Sequence, residues 1–220
     1  MPRNLAKSLA GVIRPALVLL LVFLIFGSVV LAYQAIRTIQ QLNRVEAERD
    51  QWQRADDVIH QLNLKPGNTV VDFGSGAGYF ALKLSKIVGS NGSVLAVDLR
   101  RLSISFLQAR ALLRWQNNIH PIVDEPADPH LSGLTVDAVL IANTLHELPE
   151  PREVLRRLSQ SMRHGGRLVV LDRSDAERPA RPDLEESDLR ASGFEIVSSE
   201  DHFIVQHEND VWWLIVAVKP

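Results

Sequence analysis

The chain has 220 residues and a mass of 24.6 kDa, which leaves room for one catalytic domain of ordinary size beside any membrane or targeting segment. Its 46% hydrophobic and 23% charged residues exclude a disordered, collagen-like or multi-spanning protein. A net charge of −2 gives no general polycation, so we expect no nucleic-acid partner. The absence of cysteine excludes disulfide scaffolds, thiolate zinc sites and cysteine nucleophiles.

The N-terminal part contains a long uncharged segment, residues 15–36, between Arg14 and Arg37. A helix rises about 1.5 Å per residue, so this segment is long enough to cross the roughly 30 Å hydrocarbon layer of a bilayer. We therefore predict a tail over residues 1–14 and a transmembrane helix over residues 15–36. A cleaved signal peptide is the main alternative, because basic residues precede the apolar run as they do in such peptides; a buried helix is the other. Basic residues flank both ends in similar number, so charge does not fix the orientation.

Residues 37–64 predict a connector helix that leaves the bilayer and docks on the next domain. The segment is rich in Gln, Glu and Arg, and its apolar residues recur at helical spacing, as at Leu42, Val45 and Trp52. It is either a solvated connector or a short helical dimerisation seam, and the sequence predicts no particular oligomer. The remaining residues, 65–220, predict the catalytic domain.

Short apolar runs alternate with helical segments along this domain. The predicted strands are Thr69–Phe73, Ser93–Val97, His120–Val123, Val136–Ala142 and Arg167–Asp172, and the predicted helices are Ala77–Val88, Leu102–Trp115, Pro151–Met162 and Leu184–Ala191. Strands that are apolar almost throughout are typical of a parallel sheet covered on both faces, which predicts a doubly wound α/β fold. Near the end, two short apolar runs, Phe194–Val197 and Phe203–Val205, follow the last predicted helix. Val211–Val218 comes next without a helix between, which predicts a hairpin and an antiparallel strand.

A glycine-rich loop follows the first strand. Gly74, Gly76 and Gly78 would let a ligand approach the backbone N–H groups closely. The dinucleotide fingerprint requires a further glycine where this chain has Tyr79, which disfavours a pyrophosphate ligand. Asp98 ends the second strand, where a carboxylate can accept both hydroxyl protons of a ribose. The pattern therefore predicts a ligand with a ribose and no pyrophosphate.

Four segments of the domain resemble, in order, motifs of the class I S-adenosylmethionine-dependent methyltransferases. They are Val70–Phe80, Val97–Asp98, Val136–Asn143 and Gly165–Asp172. The resemblance covers about residues 52–220 and is greatest to small bacterial enzymes grouped with the quinone C-methyltransferases. It implies S-adenosylmethionine as the cofactor and a seven-stranded sheet of order 3-2-1-4-5-7-6, with the last strand antiparallel.

The resemblance also implies a set of donor-binding residues. These are Asp72, Gly74, Ser75, Gly76, Gly78, Asp98, Leu99, Asp124 and Asn143. In this arrangement Asp72 and the glycine loop face the methionine end of the donor, Asp98 holds the ribose hydroxyls and Leu99 borders the adenine. An acid after the third strand would meet the adenine amino group, a role for which the spacing permits Asp128 as well as Asp124.

Two polar residues follow the fourth strand, at the sheet edge where reacting groups collect in open α/β proteins. His146 could take a proton from an acceptor hydroxyl or acidic carbon, and Glu147 could orient it or hold the substrate. The alternative is that both only position the loop. The other histidines lack metal-ligand spacing, so we predict no metal site. The acids between Asp183 and Asp188 are typical of the solvated first turn of a helix.

These features lead to one principal hypothesis. The sequence predicts a membrane-anchored methyltransferase whose acceptor is a small or lipid-like molecule, with the lipid bilayer contacted through the N-terminal helix. Because the donor is cytosolic, the catalytic domain would face the cytoplasm, as on a bacterial inner membrane. A non-catalytic donor-binding or scaffold protein on the same fold is the alternative. A nicotinamide dehydrogenase is disfavoured by Tyr79 and by the late hairpin.

Overall fold

The computed structural model describes residues 3–123, 131, 133–174, 182–207 and 210–220, with side chains described from residue 17 onward except at 205–210. The chain divides into two compact units, Met1–Val45 and Glu46–Pro220. Each unit is described separately below.

The first unit belongs to a single long helix, α1, which extends over Arg3–Trp52. Its apolar side chains between Leu17 and Phe26 are all more than half exposed. The hydroxyl of Ser28 donates a hydrogen bond to the carbonyl of Leu24 at 2.7 Å, so this polar group is satisfied within the helix, as a lipid environment requires. By length and composition α1 can cross a membrane, and a signal sequence would meet the same criteria. The membrane span over residues 15–36 therefore stays a prediction.

The second unit begins within α1 and continues into a short helix, α2, over Ala55–Gln61. The two helices are separated because Arg54 adopts a left-handed conformation, with φ of 53°. Its guanidinium donates to the carbonyl of Phe203 at 2.7 Å. Trp52 packs on Trp212 with ring centroids 5.5 Å apart. The segment predicted as one connector helix, residues 37–64, thus contains the end of α1 and the separate helix α2.

A seven-stranded sheet forms the centre of the second unit, in the order β3-β2-β1-β4-β5-β7-β6. Its strands are β1 Thr69–Phe73, β2 Ser93–Asp98, β3 Ile119–Val123, β4 Val136–Ala142, β5 Met162–Ser174, β6 Glu195–His207 and β7 Asp210–Val218. Strands β1 to β5 are parallel, and β7 is antiparallel to both β5 and β6. The predicted fold class, strand order and terminal hairpin are confirmed.

Helices cover the sheet on both faces. They are α3 Tyr79–Val88, α4 Arg101–Leu113, α5 Pro151–Ser161 and α6 Pro182–Ala191, with a 3-10 turn over Leu145–Glu147. The helix predicted from Ala77 begins at Tyr79, because Gly78 has a left-handed φ of 93°. Strand β6 is continuous where the sequence predicted two shorter runs. Its pairing with β7 is irregular in places, and these register shifts accommodate the polar residues that lie between the two predicted runs.

Two apolar layers hold the sheet between the helices. Alternate residues of β4 point to opposite faces: Leu140 packs in the layer with α3 and α4, whereas Val139 and Ile141 pack in the layer with α5. All three are fully buried. The parallel arrangement brings the carboxyl ends of β1, β2, β4 and β5 to one edge of the sheet, where the candidate site lies.

Candidate active site

The glycine loop lies tightly against the neighbouring strands. The backbone N–H groups of Gly74 and Ser75 both donate to the carbonyl of Val97 at 2.9 Å, which fixes the loop to the end of β2. Gly74 has φ of 78°, and a Cβ atom there would lie 2.0 Å from Oγ1 of Thr144. Glycine is therefore required at this position both by the backbone conformation and by the close approach of the loop after β4.

Gly76 differs from Gly74 because the direction in which a side chain would extend from it is not filled by atoms of the described residues. Its φ is 54°, and a Cβ atom there would meet no described atom within 4 Å. The N–H of Gly76 donates to Oδ2 of Asp98 at 2.7 Å, and the N–H of Arg100 donates to Oδ1 at the same distance. Each carboxylate oxygen has a second lone pair. Asp98 is thus held by the loop and retains the capacity to accept protons from a diol.

Three buried polar atoms beside this loop have no hydrogen-bond partner among the residues that the structure describes. They are Oδ2 of Asp72, Oγ of Ser75 and Oδ1 of Asn143. Buried polar groups of this kind are normally paired, so each indicates a place where a ligand or water can bind. Burial raises the pKa of Asp72 to about 7, and the charge of Asp98 acts in the same direction. These groups fit the methionine end of the expected donor, because its ammonium would satisfy and stabilise the Asp72 carboxylate.

A His–Asp pair lies at the same edge, across the β4–β5 junction. Nδ1 of His146 donates to Oδ1 of Asp172 at 2.6 Å, and the backbone N–H of His146 donates to Oδ2 at 3.1 Å. The Asp172 side chain is completely buried, and its hydrogen bond raises the pKa of His146. Because a carboxylate only accepts, Nδ1 carries the proton in the neutral ring and Nε2 presents a lone pair. The arrangement is that of an oriented general base.

The sequence also matches the profile of a known protein family. Residues 20–185 match the profile of the ubiE/COQ5 methyltransferase family. The chain belongs to this family. The resemblance to the class I S-adenosylmethionine-dependent methyltransferases is therefore confirmed, and S-adenosylmethionine is the cofactor that the family supports.

Several curated relatives of the chain are quinone methyltransferases, and another is a probable cobalt-precorrin-6B C(15)-methyltransferase of Thermoplasma acidophilum, 27% identical over 51% of this chain and 54% of that protein. The chain is 23% identical over 155 residues to a demethylmenaquinone methyltransferase of Shouchella clausii, covering 70% of this chain and 63% of that protein. It is 33% identical over 126 residues to a 2-phytyl-1,4-naphtoquinone methyltransferase of Synechococcus elongatus, covering 54% of this chain and 50% of that protein. The chain thus spans about half to two thirds of the length of these relatives.

The fold of the methyltransferase family is also found by structural comparison. A crystal structure of a SAM dependent methyltransferase from Aquifex aeolicus superposes with a TM-score of 0.70 at 22% identity. The match covers 83% of this chain and 98% of the other. At this identity the likeness establishes the fold and leaves the acceptor to be argued from the site.

The structure brings most of the donor-binding residues predicted for this family member to one edge of the sheet. Leu99 directly follows Asp98 and is half exposed. Gly78 packs against α4, where a Cβ atom would lie 2.2 Å from Cδ1 of Leu107. Asp124 and Asp128, the two candidates for the adenine amino group, lie outside the described residues. The binding role of each predicted residue stays a prediction.

Glu147 lies beside Nε2 of the His146 ring. Its Oε1 atom is 4.0 Å from Nε2 of His146, and its Oε2 atom forms a 3.2 Å salt bridge with Arg100. Arg100 lies two residues after Asp98, so this exposed bridge connects the loop after β2 with the loop after β4.

Sequence reasoning missed two acids of this site. Asp172 was placed at the end of β5, but its pairing with His146 was not predicted. Glu185 was assigned to a solvated helix turn, whereas it is half-buried and lies one turn before the fully buried Leu189 on α6. Burial and the charge of Asp172 raise the pKa of Glu185 to about 7. Asp172 follows an apolar run, as Asp98 does, and this pattern was the sequence signal that could have identified Asp172 as a site residue.

Proposed function

We propose that the chain is an S-adenosylmethionine-dependent methyltransferase, held at a membrane by residues 15–36, that methylates a small lipophilic acceptor of quinone-like type. One observation carries the proposal: beside the glycine loop, buried polar atoms without a partner among the described residues lie at the same sheet edge as an oriented His–Asp pair. A donor site and a base at adjoining strand ends are the two parts that methylation of a weakly acidic acceptor requires.

The donor would bind along the glycine loop. In this assignment the carboxylate of Asp98 holds the ribose hydroxyls, Leu99 borders the adenine, and Asp72, Ser75 and Asn143 surround the methionine end. Gly76 leaves the space in which the donor approaches the backbone. The bound donor supplies an activated methyl group on a sulfonium, so the protein has mainly to align donor and acceptor.

His146 would remove the proton that the acceptor loses as it gains the methyl group. Its Nε2 lone pair is the acceptor of that proton, and Asp172 stabilises the resulting imidazolium. Glu147, 4.0 Å from Nε2, would hold or orient the acceptor. Asp172 acts through His146 and is a positioning residue.

Two observations support the proposed acceptor class. Several of the curated relatives are named as quinone methyltransferases, and the N-terminal helix of this chain has an apolar length suited to a bilayer. An anchor would keep the active site near substrates dissolved in lipid. Because the donor is cytosolic, the catalytic unit would face the cytoplasm, which a reporter fused after Pro220 would test. A reporter signal from outside the cytoplasm would contradict this orientation.

The experiment is to incubate the full chain in bacterial membranes with methyl-labelled S-adenosylmethionine and to separate lipid, small-molecule and protein fractions. We expect the label in the lipid extract, and we expect His146→Ala to lose this transfer while it still binds donor. Arg156→Gln, on the exposed face of α5, is the matched control and should transfer normally. Donor binding without label in any fraction would favour the scaffold alternative, and label in protein would contradict a lipophilic acceptor.

A further inference from the structure

The end of α1 within the second unit is joined to the glycine loop by a buried arginine. Nη1 of Arg110 donates to Oε1 of Glu46 at 2.7 Å and to the carbonyl of Ala77 at 2.5 Å. A second bond joins Nη2 of Arg110 to Oε2 of Glu46. The Arg110 side chain is 1% exposed. The segment from Glu46 to Gln53 therefore has a fixed position relative to the donor loop.

Arg49 lies in this segment, one turn after Glu46. Its guanidinium carbon is 4.0 Å from the ring centroid of Tyr79, the residue that follows Gly78 of the loop. Its Nε atom donates to Oε1 of Gln53 at 2.7 Å. The Tyr79 hydroxyl in turn donates to Asp50 at 2.7 Å. Two contacts thus hold the Arg49 guanidinium beside the first residue of α3.

The charge of Arg49 acts on Asp72, the residue proposed to face the methionine end of the donor. It is close enough to Asp72 to oppose the rise in the pKa of that carboxyl. Among the described residues, no carboxylate lies within the 4.0 Å of a salt bridge to Arg49. Two neighbouring cations are paired, Arg110 with Glu46 and Lys83 with Asp50 at 2.7 Å. Arg49 is therefore a cation placed to receive an anion next to Asp72.

The amino-acid end of S-adenosylmethionine carries one ammonium and one carboxylate. We propose that Arg49 binds the α-carboxylate of the donor while Asp72 takes its ammonium. This inference rests on the proposed donor site at the glycine loop. Arginine is suited to the role because its planar guanidinium binds a carboxylate through two parallel hydrogen bonds. The donor site then includes a residue of the same helix that carries the apolar segment.

The test compares two ligands on the full chain in detergent micelles. S-adenosylmethionine has the carboxylate, whereas 5′-methylthioadenosine has the same adenosine part without the amino-acid end. Calorimetry should show that Arg49→Gln weakens S-adenosylmethionine binding about 10- to 100-fold, the range of a charged hydrogen-bond pair. Binding of methylthioadenosine should change less than about twofold. Arg49→Lys should restore part of the lost affinity because it keeps the charge.

Arg44→Gln is the matched control, since Arg44 is an exposed arginine earlier on α1, and it should leave both affinities unchanged. Equal weakening of both ligands by Arg49→Gln would overturn the inference, because it would mean that Arg49 only supports the fold. Unchanged S-adenosylmethionine binding would overturn it as well. If the unaltered chain bound neither ligand, the proposed donor site itself would fail, whereas binding of methylthioadenosine alone would contradict only the site for the amino-acid end.

Discussion

Nδ1 of His146 lies 2.6 Å from Oδ1 of Asp172, and the backbone N–H of the same histidine donates to the other carboxylate oxygen. Two contacts from one buried carboxylate fix both the loop and the ring. His146 follows β4 and Asp172 lies on β5, whose pairing places Ala142 opposite Leu171. The position of the His146 ring therefore depends on the register of two central strands and not on the loop alone.

The first prediction concerns the pH dependence of methyl transfer. The hydrogen bond that His146 donates to Asp172 raises the pKa of His146 above its usual 6.5, and only the neutral ring can accept a proton. We expect kcat at saturating donor to rise with pH, with a midpoint above 6.5. Asp172→Asn should lower this midpoint, because it removes the charge that stabilises the imidazolium. An unchanged midpoint in Asp172→Asn would contradict the assignment of the base.

The raised pKa of His146 also makes the stability of the fold depend on pH. A histidine whose pKa is raised in the folded state stabilises the fold fully below the unfolded value of about 6.5. This contribution is lost as the pH rises through the higher folded pKa. The pH range in which His146 is neutral, as the proposed base must be, is therefore the range in which its ion pair with Asp172 no longer contributes to stability.

The second prediction concerns donor affinity. Asp72 has a pKa of about 7 because it is buried, and it would bind the donor ammonium only as a carboxylate. We expect the affinity for S-adenosylmethionine to rise about tenfold between pH 6 and pH 8, with release of a proton on binding. Calorimetry in two buffers of different ionisation enthalpy measures that proton. Asp72→Asn should abolish the pH dependence, and persistence of the dependence would identify another group.

The sequence predicted those parts of the fold that depend on local pattern. β1 and β4 were found because strands buried on both faces are apolar throughout, and the loop was found because Gly74 and Gly76 need left-handed conformations. The order of the strands came from the family resemblance, since pairing joins segments far apart in the chain. Sequence alone indicates that β2 and β5 end in acids, but not which partner each acid meets.

The role of the end of α1 could not be predicted for the same reason. Residues 37–64 have the amphipathic pattern of a connector, and that pattern does not show that Glu46 meets Arg110, 64 positions away. Nor does it place Arg49 on Tyr79. These contacts arise from tertiary packing between α1, α3 and α4, so they become visible only in three dimensions.

The third prediction separates two glycines of the donor loop. Gly74→Ala should destabilise the fold strongly, because its Cβ would overlap Thr144. Gly76→Ala should cost only about 1–2 kcal/mol for the left-handed backbone, because its Cβ meets open space. That Cβ would occupy the donor cleft, so donor affinity should fall although the protein folds. Thermal unfolding and calorimetry on both variants measure the contrast, and full donor affinity in Gly76→Ala would place the ligand elsewhere.

The fourth prediction concerns Glu185. Burial raises its pKa to about 7, so between about pH 4.5 and 7 the folded state binds more protons than the unfolded state. Its contribution to stability therefore falls as the pH rises. Glu185→Gln should raise the melting temperature at pH 8 and change it little at pH 5. Glu186→Gln, whose side chain pairs with Arg190 at 2.8 Å, is the control and should give no such gain. Equal effects at both pH values would mean that Glu185 is not desolvated.

The fifth prediction concerns the buried pair between Glu46 and Arg110. The Arg110 side chain is 1% exposed and that of Glu46 is 17% exposed, so removal of the acid leaves a buried charge without its carboxylate. Glu46→Gln should cost about 3 kcal/mol of unfolding free energy, the lower end for a broken buried pair. Glu153→Gln removes a carboxylate from exposed arginines on α5 and should have little effect. The measurement is denaturant unfolding of the full chain in detergent.

A double variant distinguishes the charge effect from lost packing. Glu46→Gln combined with Arg110→Met removes both charges and keeps similar volumes, so it should be more stable than Glu46→Gln alone. It should still bind S-adenosylmethionine less tightly than the unaltered chain, because the carbonyl of Ala77 loses its bond from Arg110 and the donor loop is less rigidly held. If the two variants were equally unstable, the Glu46 carboxylate would act through packing and not through its charge.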